Sequence, residues 1–369
     1  MLLPKRRQTR KIRVGNVEIG GDAPVSIQSM TNTPTCDPDQ TLAQIESLAK
    51  LGCDIIRASV DNEKDFAALK VITGASPIPV VADIQFDAST AIGAIRAGAA
   101  AVRLNPGLVR DPAQLRPVAA VAKEYDVPIR VGVNAGSVGT DVIKKYMSSG
   151  LSHDDAMVSA LVDAAMRQCE QLESMGITAI KAALKCSSVP ITIAAYRAFA
   201  ERTDYPLHIG VTEAGTYNRG IVKSAAGIGS LLLSGIGDTL RVSLTAPPEE
   251  EIIAGLMILE SCGLRTAEPE IVSCPTCGRT EIDLAGLADR VEKLVQEIKS
   301  SGKKIRLKKI AVMGCPVNGP GEAKEADLGI AGSKSGKQLL IFKSGKVLGA
   351  YPAEEGFDIF KREILAGCV

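Results

Sequence analysis

Between Pro24 and Cys262 the chain repeats one pattern: a short β-branched run, a polar turn, then a stretch whose apolar residues recur every three to four positions. The pattern predicts strands over 25–27, 54–58, 80–84, 101–104, 128–133, 179–184, 207–211 and 239–244. Helices are predicted over 39–51, 89–97, 114–123, 154–175 and 249–261, several opened by Ser, Thr or Asp and closed by Gly52, Gly98, Gly176 or Gly263. Eight such units in roughly 240 residues match a (β/α)8 TIM barrel, whereas an open doubly wound sheet usually stops at about five or six strands.

After Arg265 the pattern changes to a strand ending at Cys274, a helix over 282–300 and a strand over 305–313. A hairpin over 339–342 and 346–350 turns at Ser344-Gly345, and a last helix covers 354–365. The predicted fold class is therefore α/β: a barrel over 1–265, followed by a small α+β domain over 266–369. Gly332 to Lys337 resembles a phosphate loop only superficially, because the glycine spacing is one short and Gln338 replaces the metal-binding hydroxyl.

Composition narrows the class. With 46% hydrophobic residues, 3% aromatic and no Trp, the chain suits small-residue helices packed on a parallel sheet. Lys plus Arg (43) balances Asp plus Glu (42), so no long-range field draws in nucleic acid or an acidic membrane. The one basic run, Lys5-Arg6-Arg7 with Arg10 and Lys11, reads as a solvated tail. No apolar stretch approaches the roughly 18 residues of a membrane span, so a soluble protein is expected. Nine Cys without regular spacing imply a reducing compartment, the cytoplasm. Six of them (Cys36, Cys53, Cys169, Cys186, Cys262 and Cys368) read as small buried hydrophobes.

Strand alternation places Arg57 with Ser59, Arg103 with Asn105, Arg130 with Gly132 and Asn134, Lys181 with Ala183 and Lys185, and Arg241 with Ser243 on common faces. Asp83 ends the third strand; His208, Gly210 and Thr212 run up the seventh into Glu213. If these faces point inward, five strands deliver cations to one mouth, where each desolvated charge costs several kcal/mol unless paired. Asp83 and Glu213 balance two of them, and the remainder call for a ligand with several negative charges, most economically a diphosphate. The competing reading is a set of ordinary strand-end ion pairs, and His208 reads as a satisfied core histidine.

Cys274-Pro-Thr-Cys277 carries the two-residue spacing that lets both thiolates reach one metal centre. Cys315 opens a Gly/Pro-rich loop, Gly314-Cys315-Pro316-Val317-Asn318-Gly319-Pro320-Gly321-Glu322. Structural zinc sites close with four Cys or His, and no His follows His208. Three thiolates fit a [4Fe–4S] cluster better, with the last iron open to substrate or held by an oxygen ligand such as Glu322. A zinc ribbon and a redox disulfide are the alternatives.

At these residues the chain resembles the hydroxymethylbutenyl diphosphate synthase family, the iron–sulfur enzymes of the methylerythritol phosphate route to isoprenoids. The likeness covers nearly the whole length and rests on the stretches 26–33, 81–84, 103–107, 129–137, 212–215, 237–243, 274–277 and 317–322. It implies reduction of 2-C-methyl-D-erythritol 2,4-cyclodiphosphate to 4-hydroxy-3-methylbut-2-enyl diphosphate, with two electrons from flavodoxin or ferredoxin. It further implies that Cys274, Cys277, Cys315 and Glu322 hold the cluster. Arg57, Arg103, Asn105, Arg130, Asn134, Lys181 or Lys185, Arg241 and Ser243 would grip the diphosphate. Asp83, Thr212 and Glu213 would face the reacting carbons, with Glu213 as proton donor, and the family acts as homodimers. One departure is Gln85, where relatives commonly carry His. The runner-up is a phosphate-binding barrel transferase similar to dihydropteroate synthase with a structural zinc site; a cluster-carrying scaffold would not need the cationic mouth.

Overall fold

The computed structural model describes residues 5–85, 87–105, 111–265, 269–333 and 336–369, with only the backbone of Ser300 and Glu322. The chain divides into two compact units, Met1–Arg265 and Thr266–Val369.

In the first unit, β1 (Ile12–Val14) and β2 (Val17–Ile19) form an antiparallel hairpin. Eight parallel strands follow: β3 (Ser26–Met30), β4 (Ile55–Ser59), β5 (Val80–Ile84), β6 (Ala101–Leu104), β7 (Ile129–Asn134), β8 (Ile180–Lys185), β9 (His208–Ile209) and β10 (Thr239–Leu240). Their order is β8-β7-β6-β5-β4-β3-β10-β9, and a parallel bridge between Ala182 and Leu207 joins the two ends, making a TIM barrel. The last two strands are shorter than predicted because the chain leaves the ladder at the mouth. At Gly210 a Cβ would lie only 2.5 Å from the Arg241 carbonyl.

Alternation sorts the strand residues into two environments. Ile56, Ala58, Ala82, Ile84, Val102, Leu104, Val131 and Val133 face outward and are buried against helix residues such as Ile45, Leu48, Ile72 and Leu115. Each fully buried aliphatic side chain there contributes about 1.5–3 kcal/mol. The helices start where the sequence offers caps: Asp37 accepts from the Gln40 N–H, and Asn62 and Asp65 form a capping box. On the inner face Ile55, Val81 and Ala101 pack with Ile12, Val14 and Ile19, so the hairpin plugs the amino end of the barrel.

The basic run is not a solvated tail. Arg6 donates to the Ala23 carbonyl at 2.5 Å and to Asp238 at 3.2 Å, and Arg7 donates to the carbonyls of Thr203 (2.6 Å) and Tyr205 (3.1 Å). Arg10 pairs with Glu173 and Asp204 and lies 4.4 Å above the Tyr205 ring. Carbonyls at the barrel's underside and the buried Asp238 supply partners that a run of charges cannot reveal.

The second unit is a mixed sheet of β11 (Glu270–Ser273), β12 (Lys309–Met313), β13 (Leu328–Gly332), β14 (Gln338–Lys343) and β15 (Lys346–Pro352), in that order. The first three strands are parallel and the last three antiparallel. Helices Leu284–Ser300 and Ala353–Ala366 cover one face through Leu287, Val291, Leu294, Phe360 and Ile364. The other face carries Ala311, Met313, Ala331 and Phe342. The strand predicted from residue 305 begins at Lys309, since Ile305 bridges instead to Cys368. A π-helical turn covers Val317–Glu322.

Candidate active site

The strand register sets the cations side by side. Asp83 pairs with Arg103, Arg103 with Arg130, and Arg130 with Lys181 across β5 to β8. At the carboxyl ends of the strands the barrel opens into a cavity of about 640 Å³. Its lining includes Arg57, Asp83, Arg103, Asn105, Arg130, Asn134, Lys185, Thr212, Glu213, Arg241 and Ser243, together with Gln85 and Ser137. The inward orientation expected from alternation is therefore present for these residues. Gly132 makes the crowding possible, because a Cβ there would meet Arg103 Nε at 3.3 Å and Arg130 Nη2 at 3.6 Å.

Lys181 is the exception among the predicted grip residues. It does not line the mouth; it lies a layer lower, on a small void shared with Gln28 and Arg130. His208 is completely buried and only half satisfied: Nδ1 meets Thr239 Oγ1 at 2.8 Å, and Nε2 has no partner.

The ion pairs leave positive charge over. Arg103 donates to Asp83 at 3.1 Å, and Arg57 stands 4.0 Å from the same carboxylate. Arg241 meets Glu251 through two hydrogen bonds of 3.1 and 3.2 Å, and Ser29 donates to the same carboxylate at 2.9 Å. Arg130 and Lys185 make no hydrogen bond or ion pair among the described residues, and Arg130 Nε and Nη1 are buried without partners. At an effective dielectric near 20, two charges about 4 Å apart interact by ~4 kcal/mol. One Asp83 therefore cannot offset the desolvation of three guanidiniums at several kcal/mol each.

The titration equilibria express the same imbalance. Burial, followed by Arg241 and Arg103, pulls Arg57 down to about 10 against the opposing pull of Asp83. Burial and the neighbouring guanidiniums hold Arg130 and Lys185 well below their ordinary values. Burial alone would raise Asp83, but Arg57, Arg103 and Arg130 outweigh it and hold the carboxyl below the usual range.

The strand pattern points to Asp83 and Glu213 as the balancing charges. The second ion-pairing carboxylate is instead Glu251, 4% exposed on helix Pro248–Ser261. Its signal was a Glu on the buried, apolar face of that helix. Glu213 lines the mouth without an ion pair among the described residues and adopts φ 52°, a left-handed backbone uncommon for a non-glycine residue. Gln85 links two predicted residues, donating to Asp83 at 3.1 Å and accepting from Asn105 at 3.0 Å. Met30 sulfur lies 3.0 and 3.2 Å from the Arg57 guanidinium.

In the second unit, parallel β11 and β12 bring Cys274 and Gly314-Cys315 to the same end of the sheet, and the Gly314 N–H donates to Cys274 Sγ at 3.2 Å. Cys277 is exposed on the loop after β11, where the backbone N–H of Arg279 holds its thiol below the ordinary value. Cys315 is buried, 3.6 Å from Asn318 Oδ1. Among the described residues no three of His, Cys, Asp and Glu gather into a metal-holding group. The Glu322 side chain lies outside the described residues. The donor chemistry nevertheless suits an iron–sulfur centre: thiols on loops after adjacent strands, with a backbone N–H already directed at one sulfur.

Two family models match the chain, the GcpE TIM-barrel domain over residues 9–256 and the GcpE protein C-terminal domain over 270–366. The chain belongs to the GcpE family. A GcpE relative from Dehalococcoides mccartyi (strain CBDB1) is 48% identical over 359 residues, covering 97% of this chain and 98% of its own. Another, from Persephonella marina, is 47% identical over 362 residues, covering 98% of each. Both carry the name 4-hydroxy-3-methylbut-2-en-1-yl diphosphate synthase (flavodoxin). Among solved structures, dihydropteroate synthase from Stenotrophomonas maltophilia superposes with a TM-score of 0.52 at 14% identity, over 71% of this chain and 100% of that one. At that identity the likeness is one of barrel fold alone, so the transferase reading has no support beyond architecture. No helix among the described residues is long and apolar enough to cross a membrane.

Proposed function

We propose that this chain is a 4-hydroxy-3-methylbut-2-enyl diphosphate synthase, reducing 2-C-methyl-D-erythritol 2,4-cyclodiphosphate with two electrons and releasing a hydroxyl as water. The observation that carries the reading is the surplus of buried positive charge in the barrel mouth, above all Arg130 and Lys185, which have no hydrogen-bond or ion-pair partner among the described residues. A ligand with two phosphates supplies the missing counter-charge, and guanidinium forks match its oxygens.

In this reading Arg57, Arg103, Arg130, Lys185 and Arg241 bind the diphosphate, with Asn105, Asn134 and Ser243 fixing its orientation. Asp83, held ionised by three guanidiniums and oriented by Gln85, positions the carbon skeleton beside Thr212. Glu213, at the rim without an ion pair among the described residues, would give a proton to the departing hydroxyl. Cys274, Cys277, Cys315 and Glu322 would hold a [4Fe–4S] cluster. When bound, that cluster would supply the electrons and a Lewis-acidic iron. Flavodoxin, in the name of the curated relatives, is the proposed donor, with ferredoxin as the alternative. A homodimer in the cytoplasm completes the proposal.

Calorimetric titration of anaerobically prepared protein with the cyclodiphosphate, together with iron and sulfide analysis, tests it. Saturable binding to iron- and sulfide-containing protein is the expected result. Zinc-containing protein indifferent to the ligand would overturn it.

A further inference from the structure

Beneath the mouth lies a polar layer that the proposed reaction does not use. Lys181 on β8 is the register neighbour of Arg130 on β7. Both line a floor void of about 10 Å³ with Gln28, room for about one water molecule. Lys181 is only 3% exposed, and its ammonium makes no hydrogen bond or ion pair among the described residues. The Oε1 of Gln28 is likewise buried without a partner.

The charged groups acting on this amine are Arg130 from β7, Asp238, and Arg57 from β4, and the amine in turn acts on the neutral His208 of β9. The one carboxylate, Asp238, is already engaged by Arg6, Thr9 and the Leu207 N–H. A buried ammonium beside a guanidinium and without a counter-ion is unfavourable, so in the free protein the amine is mostly neutral once the pH exceeds about 7. In line with this, burial and then Arg130 bring Lys181 down to about 7.

We propose that Lys181 is a positioning residue that takes up a proton when an anion enters the mouth, coupling ligand binding to protonation of the barrel floor. The inference rests on the diphosphate reading of the mouth. Negative charge above Arg130 removes the repulsion that kept the amine neutral. The proton comes from solvent onto Nζ, and the ammonium so formed can donate to Gln28 Oε1 and to a water in the void. Because the bound state holds the proton more tightly, linkage requires affinity to fall as pH rises above the free-state value. Charging the floor only after the ligand arrives spares the free barrel a further buried cation.

The test is calorimetric titration of the cyclodiphosphate into the full-length, cluster-loaded protein at about pH 8, in two buffers of different ionisation enthalpy. Each phosphorus of a cyclic diphosphate bears one strongly acidic oxygen, so the ligand does not titrate near neutrality and any proton taken up goes to the protein. Lys185 is present in both proteins, so the difference between them reads the part that Lys181 contributes. The expected result is greater proton uptake by the wild type than by Lys181→Met. The affinity deficit of the variant should also shrink as the pH rises. Should Lys181→Met not fold, Lys181→Gln serves, since its amide is polar but does not titrate. Equal proton uptake with binding retained overturns this inference alone, whereas no binding heat in the wild type sinks the diphosphate reading and this inference with it.

Discussion

Replacing Arg130 by Met separates binding from stability, because the two effects have opposite signs. Arg130 is 6% exposed, two of its nitrogens have no partner, and no carboxylate contacts it among the described residues. In the free protein it is a desolvated charge beside Arg103 and Lys181, so an apolar side chain of similar length removes a cost. Replacing buried ionic groups with apolar ones of similar volume is often neutral or stabilising by about 1–4 kcal/mol. The melting temperature without ligand should therefore not fall, and should rise by roughly 2–4 °C for each kcal/mol gained in a unit of this size. Toward the cyclodiphosphate the variant loses a charge-assisted hydrogen-bonding pair of about 1.5–3 kcal/mol. At about 1.4 kcal/mol per factor of ten, affinity should fall roughly 10- to 150-fold. Thermal melts with and without ligand, paired with calorimetry, read both effects. A variant that melts lower than wild type yet binds equally well would refute the account of the mouth.

Removing Glu251 should do the reverse: Glu251→Ala strands Arg241 without its partner, and denaturant unfolding should show a loss of about 3–5 kcal/mol, against less than about 1 if the pair is incidental. Asp83, whose folded pKa is depressed, contributes stability that is present above the unfolded carboxyl value of about 4 and is lost as pH falls through the folded one. The stability advantage of wild type over Asp83→Asn should therefore shrink on acidification below about pH 4 and stay level above about pH 5, as unfolding at stepped pH would show. In the second unit, a Cβ on Gly329 would lie 2.0 Å from Phe342 Cζ, so Gly329→Ala should lower stability by about 1–3 kcal/mol and Phe342→Leu in the same chain should recover part of it, whereas simple additivity of the two losses would contradict the packing argument.

Much of the barrel was legible because a period-two pattern is local: Arg57 and Ser59, or Arg103 and Asn105, declare a shared face within three residues. What the sequence hid is non-local. Glu251 partners Arg241 from the following helix, and only the folded packing brings the two together. Lys181 and Lys185 share a face of β8, but four residues of strand separate them by roughly 13 Å, so one serves the mouth and the other the floor. Strand direction puts Lys185, the last residue of β8, at the mouth, whereas the sealing of Lys181 beneath it depends on the β1–β2 plug, a tertiary contact. The basic run of Arg6, Arg7 and Arg10 reads as solvated because, apart from the Ala23 carbonyl, its carbonyl and carboxylate partners come from residues more than 150 positions away. Strand β13, Leu-Gly-Ile-Ala-Gly, lacks the β-branched signature because the Phe342 ring occupies the space a side chain at Gly329 would fill.

The central claim is that this cationic barrel presents a cyclic diphosphate for two-electron reduction. Anaerobic turnover with reduced flavodoxin, following substrate and product by phosphorus NMR, tests it most directly. The expected result is conversion of the cyclodiphosphate to the linear 4-hydroxy-3-methylbut-2-enyl diphosphate with two electrons consumed per molecule. Iron-loaded, reduced protein that binds the cyclodiphosphate but leaves it intact would contradict it.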